Sequence, residues 1–552
     1  MLGIAASAWA TRAWWAEIRA NQVPALLLVC GCVLPLLLLG AAFASVEAPI
    51  STHDGAFHVE TIDGLRSGAA APGWYPIGFH ASVAAVLGVV PWLDSARGTL
   101  EAALGLALLG PAAACALGMA LGLEPLVAAA GAVVLALTWT YPYDYHLWAG
   151  WPQAMGVLLL LGLFAVALRW IERPTVGWAT LGGLFAGAIV VTHGTEVYSA
   201  AIGVLVIAAA RLGRINPRRL MMCLPLALGV ALLAAAPYLS TLVGWAGSGG
   251  ATAAGALHAD FVGGGNPAPE TREGWFEVAL GSFGAASVLD LPVRLALFAC
   301  GARLRQLRLV LVLWALFAVL ALLFDLLDLP VIRSIFVVTY PWLSDHRPRQ
   351  VAVVFASLIG AGGLRFALAQ LGTLRPRLAA HPHARRRLIV ACGLLLVFFA
   401  EGSAVSVFKR VALTVGQQDV VSADDAAAFT WLRQHARPGT VVVNDHAADA
   451  GIWVPFKAEL PVLLPRSEPA DVAQEREPIL QNLLDLDAAP AVRARACALG
   501  VEYVYVGARP LPFDEHVLPE RGALERAPNL EEVFASGDAA VFRLHLPCGS
   551  SA

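Results

Sequence analysis

Charge is what this sequence has least of. Only 14% of its residues are Asp, Glu, Lys or Arg, against about 25% in soluble globular domains. Hydrophobic types make up 58%, and the mean hydropathy is +0.69. A shortfall of this size excludes a chain that is solvated by water over most of its length. Lysine is nearly absent: Lys409 and Lys457 are the only two. Positive charge is therefore almost wholly arginine, and with the heavy use of Ala, Gly, Leu and Val this suits high-GC bacterial coding. A net charge of −3 and a pI near 6.5 offer nucleic acid no basic surface. No glycine-rich phosphate loop, dinucleotide fingerprint or internal repeat occurs, which argues against an ATP-driven transporter. Neither HExxH nor paired Cys/His spacing is found, so no motif requires a cofactor, and a divalent metal stays open.

Cysteine is sparse in a telling way. Six of the eight (Cys30, Cys32, Cys115, Cys223, Cys300 and Cys392) lie in apolar runs, where they act as small hydrophobes. Cys497 and Cys548 lie beyond those runs and can pair only if that part faces an oxidising compartment. No cleavable leader is expected, because the first apolar run, from about Pro24, has the length of a span.

What the sequence does have is apolar runs. A span needs roughly 20 mostly apolar residues. About eleven runs qualify, at 24–44, 99–121, 124–140, 152–168, 175–192, 195–210, 220–243, 279–300, 309–328, 350–371 and 388–407. The run 279–300 carries Asp290 and Arg294, whose i,i+4 spacing lets them pair on one helix face. Arginines cluster at Arg12/Arg19, Arg169/Arg173, Arg211/Arg214/Arg218/Arg219, Arg303/Arg305/Arg308 and Arg375/Arg377/Arg385/Arg386/Arg387, and the positive-inside rule assigns these to the cytoplasm. Counting 76–93 as a span would put every cluster from Arg169 onward outside. That run is therefore read as a helix at the outer interface. The N-terminus is then cytoplasmic and the C-terminal part extracytoplasmic, with external segments at 45–98, 141–151, 193–194, 244–278 and 329–349.

The expected fold class is an α-helical polytopic membrane protein, over 1–407, with juxtamembrane helices in the first external loop at 45–98. A small α/β extracytoplasmic domain follows over 408–552. Within that tail Ser422 caps a helix over Asp424–His435, Thr440–Asn444 is a strand, and Ala491–Leu499 is a helix stopped by Gly500. Val501–Gly507 and Ala539–Leu544 are further strands.

Polar weight falls on the external segments. In the first loop Asp54 and His58 stand at i,i+4, so one helix face can present a carboxylate and an imidazole. Such a pair can act as a general base or hold a metal; a solvated acidic loop with surface histidines reads equally well. His80 follows in WYPIGFH. The segment Tyr141–Pro152 sets Asp144 and His146 among aromatics, a composition that suits a sugar, although Trp148 and Trp151 also fit as interfacial anchors. His193 and Glu196 flank a tight turn. His346, Arg347 and Arg349 precede the tenth run, where outward arginine calls for an anion such as a lipid phosphate. A salt bridge to Asp345 or Glu270 is the alternative.

Asp54 in HDGAFHVETIDGLRSG, followed by WYPIGFHASVAAVLGVVPWL, resembles the first external loop of the GT-C superfamily of polyprenyl-phosphate-sugar-dependent glycosyltransferases. The tail, with DDAAAFTWLRQHARPGTVVVNDHAADAGIW and VEYVYVG, and PWLSDHRPRQ at 341–350, resemble a bacterial multi-pass family of unassigned function. Many GT-C members carry a paired acidic motif, whereas here Asp54 stands between His53 and Gly55. The resemblance implies inverting sugar transfer from a polyprenyl-phosphate-sugar donor, among membrane lipids, to a cell-envelope glycan or lipid acceptor at the outer face of the plasma membrane. Asp54 would be the base, His58 would orient the acceptor hydroxyl or share its charge, and Arg347 or Arg349 would hold the phosphate. Asp144 and His146 would contact acceptor or donor. A transporter or lipid flippase built around Asp290 and Arg294, or a non-catalytic envelope protein of the same fold, are the competing readings.

Overall fold

The structure, a computed structural model, describes residues 22–68, 75–90, 92–247, 281–285, 290–326, 346–373, 382–446, 448–466, 470–510 and 517–548. Trp74, Glu270 and Asp345, on which some expectations rest, lie outside these residues.

Each apolar run contributes a helix among the described residues. The helices are α1 Gln22–Ala42, α2 Asp54–Ser67, α3 Gly78–Val89, α4 Ser95–Ala120, α5 Pro125–Ala136, α6 Asp144–Leu147, α7 Trp151–Glu172, α8 Val176–Thr192, α9 Gly194–Ala210, α10 Pro217–Gly247, α11 Leu291–Ala302, α12 Arg308–Leu326, α13 His346–Thr373 and α14 Pro382–Gln418. Among the described residues six candidate spans are long and apolar enough to cross a membrane: Gln22–Ala42, Ser95–Ala120, Trp151–Glu172, Pro217–Gly244, Arg305–Leu322 and Arg347–Gln370. The remaining apolar helices, including α5, α8, α9 and α11, are shorter.

Aromatic and small residues hold the bundle together. Phe164 of α7, Phe317 of α12 and Phe355 of α13 stack on one another in the core, with ring centroids 6.0 to 6.4 Å apart. α11 and α13 approach backbone to backbone: a Cβ on Gly363 would overlap the Leu297 carbonyl, and one on Gly301 the Ile359 carbonyl. Small residues at such crossings are how helices gain packing where lipid removes the hydrophobic drive. α3 keeps an apolar side outward, with Val89 77% and neighbouring Trp92 78% exposed.

The two ends of the bundle sort the charges. At one end Glu172 meets Arg211 and Arg214, Arg169 donates to the Met119 carbonyl, and Arg365 pairs with Glu124. The first loop, α6, the His193 turn and the start of α13 meet at the other. Arg169, Arg211 and Arg214 of the expected arginine clusters therefore lie at the end away from the first loop. Asp290 and Arg294 pair as their spacing predicts, Nε to Oδ2 3.0 Å, and Arg294 also donates to the Leu137 carbonyl.

α14 runs on past 407 to Gln418, and the tail's own elements begin after it. They are α15 Ala423–His435, β1 Val441–Val443, α16 Ala470–Gln481, α17 Pro490–Leu499, β2 Val501–Val506, β3 Leu530–Ser536 and β4 Ala539–Leu544. Ser422 and Asp425 form a reciprocal capping box at the start of α15. The sheet order is β1-β2-β4-β3, with β1 and β2 parallel and the rest antiparallel. β3 is the strand that the sequence pattern hides: it is an edge strand whose Glu531 and Glu532 are exposed. Cys497 and Cys548 form a disulfide that ties the end of α17 to the last described residues.

Beyond the ends of the parallel strands, Asp449 is buried and accepts from the Gly451 and Gly507 amides. Burial, and then the Asp445 charge, raise its carboxyl to about 8. The folded domain thus holds this proton more tightly than the unfolded chain, whose carboxyl titrates near 4. The stability that Asp449 contributes is full below about pH 4 and declines as pH rises to about 8. Amide exchange of the intact protein, corrected for the intrinsic rate, should show β2 less protected at pH 9 than at pH 5; equal or greater protection at pH 9 would contradict this.

Candidate functional site

Asp54 is the first residue of α2, where an acid favours the helix dipole. Its side chain keeps an open face. Surrounding protein still desolvates it enough to raise its pKa, and the charge of Arg347 partly offsets that. One turn on, His58 is buried: its Nδ1 lies 2.9 Å from His80 Nε2, and its ring packs on Phe79 and Trp151. Burial, and secondarily the charge of His80, push His58 well below the usual range; burial takes His80 to about 3. The two imidazoles are therefore neutral, one donating to the other, and they fasten α2 to α3. Trp151, expected as an interfacial anchor, is fully buried against them. It sits where the first loop folds back over the head of α7, so protein rather than headgroups surrounds its ring.

Arg347 comes from the first turn of α13. Its guanidinium donates to His193 Nε2 at 3.1 Å and to Thr195 Oγ1 at 3.3 Å. His193 Nδ1 in turn donates to the carboxylate of Glu196. These partners fix the imidazole as the neutral Nδ1–H tautomer. Its pKa is lowered, by burial first, although Glu196 pulls the other way. Glu196 fits because α7 offers it Gly156, where a Cβ would stand 3.1 Å from both its Cγ and Oε2. A chain Glu196–His193–Arg347 thus holds a buried cation whose charge is felt at Asp54.

Other expected residues stand around this chain or apart from it. Asp144 is half-buried and accepts from Gln350 Nε2 at 3.0 Å. His146 is buried, with its pKa lowered by burial to about 3, and its Nδ1 has no hydrogen-bond partner among the described residues. Arg349, two residues beyond Arg347, falls on a different side of α13 and lays its stem against Gly281. His346 opens α13, and its side chain lies outside the described set. Among the described residues no group of three His, Cys, Asp or Glu is arranged to hold a metal ion.

Residues that sequence reasoning passed over complete the site. Gln350 lies one turn after Arg347, an i,i+3 neighbour that helical spacing alone would have offered. The tail supplies two more. The Arg466 amide donates to Glu60 at 2.8 Å and its guanidinium to His53 Nε2 at 3.3 Å, beside Asp54. Lys457 bridges Asp94 at 3.0 Å and Glu47 at 3.6 Å. Under them Ala48, Ala56, Val59 and Ala96 share an apolar cluster with Phe429 and Trp453 of the tail. No local pattern announces partners some 400 residues apart.

A family described as a family of unknown function (DUF6541) matches residues 2–546. No curated protein matches the sequence. ArnT from Cupriavidus metallidurans, in a crystal structure bound to undecaprenyl phosphate, is similar in fold with a TM-score of 0.51 at 13% identity, covering 94% of this chain and 98% of that one. The oligosaccharyltransferase of Archaeoglobus fulgidus, tethered to an acceptor peptide, reaches a TM-score of 0.48 at 12% identity over 89% of this chain and 70% of that one. The fold is thus of the GT-C type, as the first loop led us to expect.

Gly156 tests the chain of contacts behind Arg347. Gly156→Val should press on Glu196, detach it from His193, and lower thermal stability by about 1–3 kcal/mol, the usual cost of overpacking. Thermal unfolding of the purified protein checks this, and an unchanged midpoint would mean that Glu196 is not held as described.

Proposed function

The chain belongs to the DUF6541 family, and we propose that it is a multi-pass plasma-membrane glycosyltransferase that moves a sugar from a polyprenyl-phosphate donor to an acceptor on the outer side. The observation that carries this reading is Asp54 within reach of the charge of a buried Arg347 at one end of a GT-C-type bundle. The division into a membrane unit over 1–407 and an extracytoplasmic domain over 408–552 belongs to the same proposal. The disulfide in the tail supports its exposure to an oxidising compartment. The placement of Arg169, Arg211 and Arg214 at the far end supports a cytoplasmic N-terminus. The binding of undecaprenyl phosphate by ArnT, which has this fold, supports the donor class.

The chemistry follows from the geometry. Arg347 holds the donor phosphate by charge-assisted hydrogen bonds. The acceptor oxygen attacks the anomeric carbon from the face opposite the phosphate. A new carbon–oxygen bond forms as the old one breaks, and its electron pair leaves with the polyprenyl phosphate. The proton of the acceptor hydroxyl passes to Asp54, and in-line attack inverts the anomeric centre. Arg347 stabilises the charge that grows on the leaving phosphate. A carboxyl raised above its ordinary value is a stronger base, so the desolvation of Asp54 serves the reaction. His58 and His80, both buried, position the helix that carries Asp54 without touching substrate. Asp144, with Gln350, lines the same end of the bundle and takes sugar hydroxyls.

Two variants test the assignment. Asp54→Asn should lower transfer by at least about a hundredfold, the lower range for a positioned general base, while leaving the fold intact. A folded Asp54→Asn protein with full transfer sinks the base assignment. Arg347→Gln removes the charge that holds Asp54 down. The acid limb of its residual rate profile should therefore move to higher pH than in the wild type; no shift, or a shift to lower pH, would separate Arg347 from Asp54.

A further inference from the structure

Beside the Glu196–His193–Arg347 chain lies a group of polar atoms that the protein itself leaves unanswered. Gln153 is 1% exposed, and neither its amide nitrogen nor its oxygen has a hydrogen-bond partner among the described residues. The same holds for the Tyr145 hydroxyl, fully buried, and for the Gln350 amide oxygen, also fully buried. A buried polar atom without a partner carries an unrepaid desolvation cost, so native structures hold few of them. Four such atoms on three neighbouring elements point to a ligand.

Their placement is tight. Gln350 is anchored by its nitrogen to Asp144, the residue before Tyr145. Tyr145 lies within electrostatic reach of Glu196, Asp144 and Arg347. Gln153 is three residues before Gly156 on α7, hence on the face that Glu196 covers. The set presents a hydroxyl, a carboxamide with two N–H donors and one acceptor, and a second carbonyl acceptor. Mixed donors and acceptors suit a row of hydroxyls, which both give and take hydrogen bonds; a bare anion would accept only, and an acyl chain would do neither.

We infer that Tyr145, Gln153 and the Gln350 carbonyl form a subsite for the sugar next to the phosphate held by Arg347. This rests on the proposed function and deepens it, since it assigns recognition of the transferred group to residues that need take no part in lipid binding. Tyr145 and Gln153 are specificity residues here, and Asp54 and Arg347 remain the reacting pair.

The test uses full-length protein in lipid nanodiscs, with affinity measured for undecaprenyl phosphate, for undecaprenyl-phosphate-linked glucose, mannose and arabinose, and for the methyl glycosides of these sugars in the presence of saturating undecaprenyl phosphate. At least one linked sugar should bind the wild type more tightly than the bare lipid. Gln153→Leu and Tyr145→Phe should each erase most of that gain, about three- to tenfold for a lost hydrogen bond, and leave the bare-lipid affinity unchanged. If the gain instead comes from a methyl glycoside and is lost in the same variants, the subsite stands and serves the acceptor sugar. A second reading needs no sugar: ligand-free Gln153→Leu should melt no lower than the wild type, because it removes an unanswered amide. A clear drop in that midpoint would mean the amide is satisfied within the fold and would overturn the subsite. So would wild type that gains nothing from any sugar, or variants that keep the gain. Failure of the bare lipid itself to bind would bring down the proposed function, and the subsite with it.

Discussion

The arrangement depends on one neutral imidazole. His193 caps the end of α8 and the start of α9, gives its Nδ1 proton to Glu196 and receives Arg347 at Nε2. Without that acceptor a buried guanidinium would lose a directed partner, and burying a charge is tolerated only where it is paired and hydrogen-bonded. A guanidinium has five N–H donors and no acceptor, so Arg347 can be satisfied only by groups that accept. It is therefore the fixed element to which the softer groups adjust. Asp54 is raised by desolvation yet held in check by it, and His193 is kept unprotonated beside it. A buried cation whose charge is felt at a carboxylate at one end of a helical bundle is a place where an anionic leaving group and a hydroxyl proton can both be received.

The competing charged pair behaves differently. Asp290 and Arg294 face each other on one helix, with the Leu137 carbonyl and the Phe399 ring completing the guanidinium's shell. Such a pair closes on itself and fastens α11 to α5 and α14. A transport path would need ionisable groups that exchange partners along a route through the bundle, and the contacts around this pair give structural fastening instead.

Much of this was legible in residues alone, for identifiable reasons. Apolar runs of span length come from the solvent the chain meets, so they located the helices. Ser422 with Asp425, and Gly500 at positive φ, announced the borders of α15 and α17 because capping is local chemistry. The first loop was readable as carrying two helices because its apolar and polar residues recur at helical spacing. What stayed hidden is what depends on tertiary closure. Helical spacing put Asp54 and His58 on one side of α2, but only the packing of α3 and Trp151 turns His58 inward to His80. β3 was masked by its exposed glutamates, and the grip of Arg466 and Lys457 on the first loop spans some 400 residues of chain. Gln153 carries no motif at all; only burial without a partner marks it.

The central claim is that Arg347 receives a lipid phosphate within reach of Asp54. A structure of the protein in lipid nanodiscs with undecaprenyl phosphate bound tests it most directly. The account predicts the phosphate within hydrogen-bonding distance of the Arg347 guanidinium, on the side that faces Asp54, with His193 still bonded behind it. A phosphate seated elsewhere on the bundle, with Asp54 turned to bulk solvent, would contradict it.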